Sequence, residues 1–117
     1  MKAGISDQYV AGFFDGEGSC IIRKRKDKRY KKGFQILVKI TIHNKNKKVL
    51  ERIKEKFGGN IYFHKRDKLW YIEIYRKKQI ERFIISILPY SIIKKDMLIK
   101  VLKIIRGSGP ETGTNTG

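Results

Sequence analysis

The chain has little with which to cross-link itself or to cage a soft metal. It carries one cysteine and two histidines in 117 residues. Cys20 has no partner for a disulfide within the chain. With His43 and His64 scattered, it cannot complete a four-ligand zinc site. It is expected to be a small buried residue at the start of a strand. Long apolar runs are also missing. The longest uncharged run near the C-terminus, Phe83 to Ile93, has 11 residues and contains Pro89. A membrane-spanning helix needs ~20 apolar residues, so no transmembrane segment is expected. The N-terminus has no apolar signal core, which points to an intracellular chain without separating cytoplasm, nucleus and organelle. Acids are scarce, with 11 against 28 Lys and Arg and a formal charge of +17. Such an excess repels itself and favours a polyanionic partner, either nucleic acid or an anionic membrane surface.

The length fits one domain with a modest core. Ser6 can cap a first helix running to about Asp15. Residues 19–25 are β-branched and basic and read as a strand. A loop over 26–33 closes on Gly33. Residues 34–43 alternate, with Ile36, Val38, Ile40 and Ile42 on one face and Gln35, Leu37, Lys39, Thr41 and His43 on the other. Asn46 caps a helix whose Val49, Leu50, Ile53 and Phe57 are at helical spacing, and Gly58-Gly59 stops it. Strands over 60–65 and 69–76 flank the polar turn Lys65 to Lys68. Ile61 and Phe63 share one face of the first of these; Trp70, Ile72 and Ile74 face inward on the second. Residues 77–88 form a helix ended by Pro89, and a last helix covers 91–105. The order is αββαββα plus a final helix: an α+β domain over residues 1–106, with a four-stranded antiparallel sheet backed by helices. Residues 107–117 are Gly, Ser and Thr with one Pro, one Glu and one Asn, and read as a flexible tail or linker.

Arg23 to Lys32 contains eight basic residues in ten. A charge run is often just a solvated surface. This one lies on a strand and its loop, and the outward faces of the other strands are polar or aromatic. An antiparallel sheet packed on one face leaves the other free. Such a face can enter a DNA major groove, where side chains read bases and Lys or Arg hold phosphates.

Residues 9–18, Tyr-Val-Ala-Gly-Phe-Phe-Asp-Gly-Glu-Gly, begin as an amphipathic helix. Gly12 and Gly16 stack on one helical face and leave it without side chains, so another backbone could approach closely. Alanine would be better by up to ~1 kcal/mol at each glycine within a helix. Val10 to Gly18 resembles the signature of the LAGLIDADG homing endonucleases. It keeps Ala11, Gly12, Asp15, an acid at Glu17, and Gly18, with Val10, Phe13 and Phe14 as apolar replacements. The element order over residues 6–105 is that of one such domain.

The resemblance implies a homodimer whose signature helices pack through Gly12, Gly16 and Phe13. It implies Glu17 and the main-chain oxygen of Gly16 as ligands of Mg²⁺ or another divalent cation. It implies Lys94 as a catalytic lysine near the start of the final helix, and a polar residue after the second strand: Asn44, or His43 with a slip of one. Asp15 belongs to the signature with a structural role. The sheet would meet double-stranded DNA through Arg23, Arg25, Gln35, Lys39, Thr41, Asn60, Tyr62, His64, Arg66, Tyr71, Glu73 and Tyr75. One carboxylate is a poor metal site and two related by a two-fold axis are a plausible one. The leading expectation is therefore a homodimeric, metal-dependent, site-specific endonuclease of intron or intein homing type, acting on a roughly palindromic duplex. The alternatives are a non-cleaving binder on the same fold (an RNA-splicing maturase acting on intron RNA, or a DNA-binding regulator) and an engineered half of a single-chain nuclease.

Overall fold

A computed structural model describes residues 4–107. The first helix, α1 (Asp7–Glu17), starts where the Ser6 hydroxyl accepts the Tyr9 N–H. It leads directly into β1 (Gly18–Lys26) and its partner β2 (Phe34–Asn44). Then come α2 (Lys47–Phe57), β3 (Asn60–His64), β4 (Leu69–Ile74), α3 (Lys77–Ile87), a 3₁₀ turn at Leu88–Tyr90, and α4 (Lys95–Gly107). The Asn46 side chain caps α2, and Gly58, at φ 88°, ends it in a conformation that favours glycine. The predicted tail lies outside the described residues, except for Gly107, which closes α4.

The sheet is antiparallel throughout, in the order β1-β2-β4-β3. β1 pairs with β2 from Gly18 opposite Ile42 to Lys26 opposite Phe34. β4 pairs with only the last part of β2, from Ile40 opposite Ile74 to Asn44 opposite Trp70. The sheet therefore has a four-stranded inner part and a two-stranded ribbon beyond it. Side chains alternate across a strand. Ile40, Ile42, Ile72 and Ile74 face the helices and are fully buried with Phe14, Leu50, Ile53 and Phe83. Phe83 stands edge-on to both Phe14 and Phe57, with ring centroids 5.4 and 5.0 Å apart. Gly18 is needed where α1 turns into β1: an added Cβ would sit 2.0 Å from the buried Phe14 ring.

Most boundaries shift by a residue or two from the sequence reading, β4 for one ending at Ile74 rather than at residue 76, and two of the differences bear on the site. α1 continues through Glu17 rather than ending at Asp15. The last helix starts at Lys95, not at residue 91. The cause of the second is Asp15. Its carboxylate accepts the Ser91 hydroxyl at 2.6 Å and the backbone N–H groups of Ile92, Ile93 and Lys94 at 2.7, 3.1 and 3.3 Å. Those donors precede α4, so Asp15 holds residues 91–94 in a non-helical approach and the helix begins only after them. The Lys94 ammonium returns a bond to the main-chain oxygen of Asp15 at 2.5 Å. Phe63 shares the helix-facing side with Ile61, as read from the sequence. At the end of edge strand β3 it is half exposed and leans on Trp70 at 4.9 Å.

Burial pushes the Asp15 carboxyl up, but the Ser91 hydroxyl and the three N–H groups outweigh this and hold it below its ordinary value of 3.8. A lowered folded value stabilises the protein above the unfolded pKa and is lost as pH falls through the folded one. Asp15→Ala should therefore lower the free energy of unfolding by ~1–3 kcal/mol at neutral pH, through unpaired donors. The gap between parent and variant should shrink as pH drops below about 4. Denaturant titrations of both proteins across pH check this; a gap that persists unchanged into acid would sink the role of the ionised Asp15 in holding residues 91–94.

Candidate active site and nucleic-acid interface

Glu17 ends α1 as an exposed carboxylate. It makes no hydrogen bond or ion pair with another described residue. The position is electrostatically poor for an acid. A helix C-terminus carries partial negative charge and unpaired carbonyls, and the last turn of α1 has no basic residue. A free carboxylate beside the exposed backbone of Gly16 is a hard-oxygen donor set that suits a hard cation such as Mg²⁺. Among the described residues there is no group of three or more His, Cys, Asp or Glu able to hold a metal. One chain supplies one free acid here, not a complete cage. Cys20 does not contribute: burial pushes its thiol up to about 11, so it stays protonated on the helix-facing side of β1.

Three polar groups expected near Glu17 occupy different settings. Lys94 is half-buried, held by the Asp15 carbonyl two residues before Glu17, with its ammonium 5.8 Å from the Phe14 ring centroid. Asn44 is taken up by the turn into α2, its Oδ1 accepting the Asn46 N–H at 2.7 Å. His43 faces the open side of the sheet and stacks on Tyr71 at 5.1 Å. Since Gly18 lies opposite Ile42, His43 comes level with the end of α1. The first outward pair beyond that end is Ser19 and Thr41, with hydroxyls 3.1 Å apart. Sequence reasoning had no means of pairing Ser19 with anything, because the register was not legible.

The outer face of α1 is bare. A Cβ placed on Gly12 or Gly16 would meet no atom of the other described residues within 4 Å beyond the backbone of its own helix. Tyr9, 56% exposed, stacks on Phe13 beside it. The loop pinned by Asp15 shows two apolar side chains that the sequence reading passed over, Ile92 at 85% and Ile93 at 75% exposure. Their signal was present: two adjacent isoleucines after Pro89 with no helical partner.

The open face of the sheet gathers most of the expected contact residues. Arg23 and Arg25 stand opposite Leu37 and Gln35, and Arg25 donates to Gln35 Oε1 at 2.5 Å. Lys24 points to the other side, over the Phe34 ring at 4.7 Å. Lys39 pairs with Glu73 at 2.9 Å, and Asn60 lies opposite Glu73. Tyr71 stands between His43 and the exposed Tyr62. His64 accepts the Asp67 N–H at 3.3 Å in the turn that also carries the exposed Arg66. Tyr75, half exposed, follows β4. Thr41 differs from the rest: it is buried, with its hydroxyl on Ser19. In the hairpin loop, hydrogen bonds from Arg29 hold the Asp27 carboxyl down to about 2.

A family model described as LAGLIDADG endonuclease matches residues 10–103. No curated protein matches the chain. Among solved structures, the homing endonuclease I-CvuI, in complex with the I-CreI target and magnesium with the DNA not cleaved, aligns with a TM-score of 0.74 at 21% identity. That alignment covers 86% of this chain and 66% of I-CvuI, just under two thirds of its length. The archaeal intron-encoded homing endonuclease I-Vdi141I, complexed with DNA, gives 0.74 at 24% identity, covering 86% and 67%. The LAGLIDADG homing endonuclease I-LtrWI, bound to target DNA, gives 0.67 at 27% identity, covering 86% of this chain and 37% of that one. The signature helix, the element order, the four-stranded antiparallel sheet and the span of the family match agree: this chain belongs to the LAGLIDADG endonuclease family.

Proposed function

We propose that the chain is a site-specific, metal-dependent DNA endonuclease of the intron or intein homing type, which works as a homodimer on a long, roughly palindromic duplex. The observation that carries this reading is Glu17, an unpartnered carboxylate at a helix C-terminus, on a helix whose glycine face meets none of the other described residues. Both features are unfavourable in an isolated chain. A second α1 packed on Gly12 and Gly16 would cover the bare face, and the two Glu17 carboxylates it brings together would be relieved of their mutual repulsion by a divalent cation held between them.

Divalent cations held there would supply an activated water, neutralise the phosphate and stabilise the leaving oxygen. Glu17 and the Gly16 carbonyl would hold them. Lys94 places a fixed positive charge near the same helix end, where it can attract a phosphate. Ile92, Ile93, Tyr9 and Phe13 would rim the contact between copies. The basic outward face would lie in the major groove, with Arg23 and Arg25 towards bases and the loop lysines towards phosphates. A non-cleaving binder on this fold has no need of an unpaired Glu17. Incubation with a randomised duplex library and Mg²⁺, followed by mapping of ends, tests the class: discrete staggered cuts support it, and intact DNA refutes it.

Glu17→Gln should reduce cleavage by ~10²–10³-fold or more, the scale on which loss of one preorganised charge acts. DNA binding should stay within a few-fold, as read by gel shift beside nicking rates. Gly12→Leu should leave the chain folded but monomeric in sedimentation at concentrations where the parent is a dimer. An undiminished dimer would place the interface elsewhere. Affinity should fall with salt at a slope near −0.9 per phosphate neutralised. Arg23→Ala should cost ~1–3 kcal/mol at one base position, whereas Lys24→Ala should act uniformly across sequences. Binding to single-base variants of a selected site separates the two.

A further inference from the structure

Every strand residue is neutral or basic except one: Glu73 is the only acid in any strand among the described residues. It lies on the open face of central strand β4, opposite Thr41. Lys39 of β2, two residues before Thr41 on that face, meets its Oε2 at 2.9 Å. The two side chains are 31% and 23% exposed, so the pair reaches solvent at the floor of the four-stranded part. As a part-buried cross-strand ion pair its structural contribution is modest. A carboxylate on this face would also be repelled by phosphates. Lys39 occupies one of its oxygens, and the other is open to a further group that donates a hydrogen bond.

A cytosine–guanine pair offers such a group. In the major groove guanine presents two adjacent acceptors, N7 and O6, and the next group along the edge is the cytosine N4 amino donor. O6 and N4 are hydrogen-bonded to each other in the base pair. Their separation therefore matches that between the Lys39 ammonium and the Glu73 carboxylate. Lys39 has three protons, enough for N7 and O6 while it keeps Glu73. Glu73 has its second oxygen free for the N4 amino group. An adenine–thymine pair lacks two adjacent acceptors and leaves the ammonium one contact short. We infer that Lys39 and Glu73 act as one unit that reads a single cytosine–guanine pair in each half-site, with Lys39 on guanine and Glu73 on cytosine. This rests on the proposal that the sheet reads duplex DNA.

The test is a binding selection from a randomised duplex library in the presence of chelator, using the full chain, Glu73→Gln, and the double variant Lys39→Glu with Glu73→Lys. Glutamine can bond adenine but cannot accept as a carboxylate does. Glu73→Gln should lose the preference for cytosine at one position per half-site by about tenfold or more, with the rest of the site unchanged. The double variant keeps the ion pair and reverses its donor–acceptor order, so the same position should change from cytosine to guanine. A purely structural ion pair predicts no base change in either variant, and that outcome overturns the inference. A uniform loss of affinity with unchanged preferences overturns it as well. A parent protein that selects no duplex site overturns the proposed function, and this inference with it.

Discussion

The arrangement of the site depends on one carboxylate that does no chemistry. Asp15 collects four donors from residues 91–94, including three backbone N–H groups at the entry to α4. In return Lys94 binds the Asp15 carbonyl. The end of α1 and the start of α4 are thus tied together at both side-chain and main-chain level. Glu17 is two residues past one end of this tie, and Lys94 forms the other. Their relation does not depend on a flexible loop.

α1 divides its labour by face. Val10, Ala11 and Phe14 are completely buried against the sheet and α3. Gly12 and Gly16 face away and meet none of the other described residues. Gly18 serves a different purpose, giving the Phe14 ring its room at the point where helix becomes strand. So three glycines close together in sequence answer to separate constraints. Two are unexplained by the chain itself, and the third is explained by it entirely.

Much of the fold was legible in local patterns, because helices and strands advertise their buried faces. The alternation of Ile40, Ile42, Ile72 and Ile74 placed the open face correctly, and the signature placed Glu17. Long-range facts were not legible. The order β1-β2-β4-β3 is set by pairing between strands distant in sequence, about which no single strand carries information. The start of α4 was misread because the residue that captures the N–H groups just before it is more than 75 positions away. Asn44 looked free in the sequence, yet the adjacent turn engages its side chain, and Thr41 sat on the polar face yet is covered by Ser19. At α4 and Thr41 a partner distant in sequence decided, whereas Asn44 is taken up by a local turn two residues on.

The ribbon formed by the outer parts of β1 and β2 has no β4 beside it, since that strand stops at Ile74 opposite Ile40. Two-stranded ribbons twist more readily than wider sheets. The outer half can therefore rotate along its length without breaking any pairing in the inner half. A duplex lying along this surface would meet a stiff floor near α1 and a compliant arm further out. Stringency would then be graded by mechanical support: strict near the end of α1, and increasingly tolerant of altered groove shape towards the loop at residues 27–33.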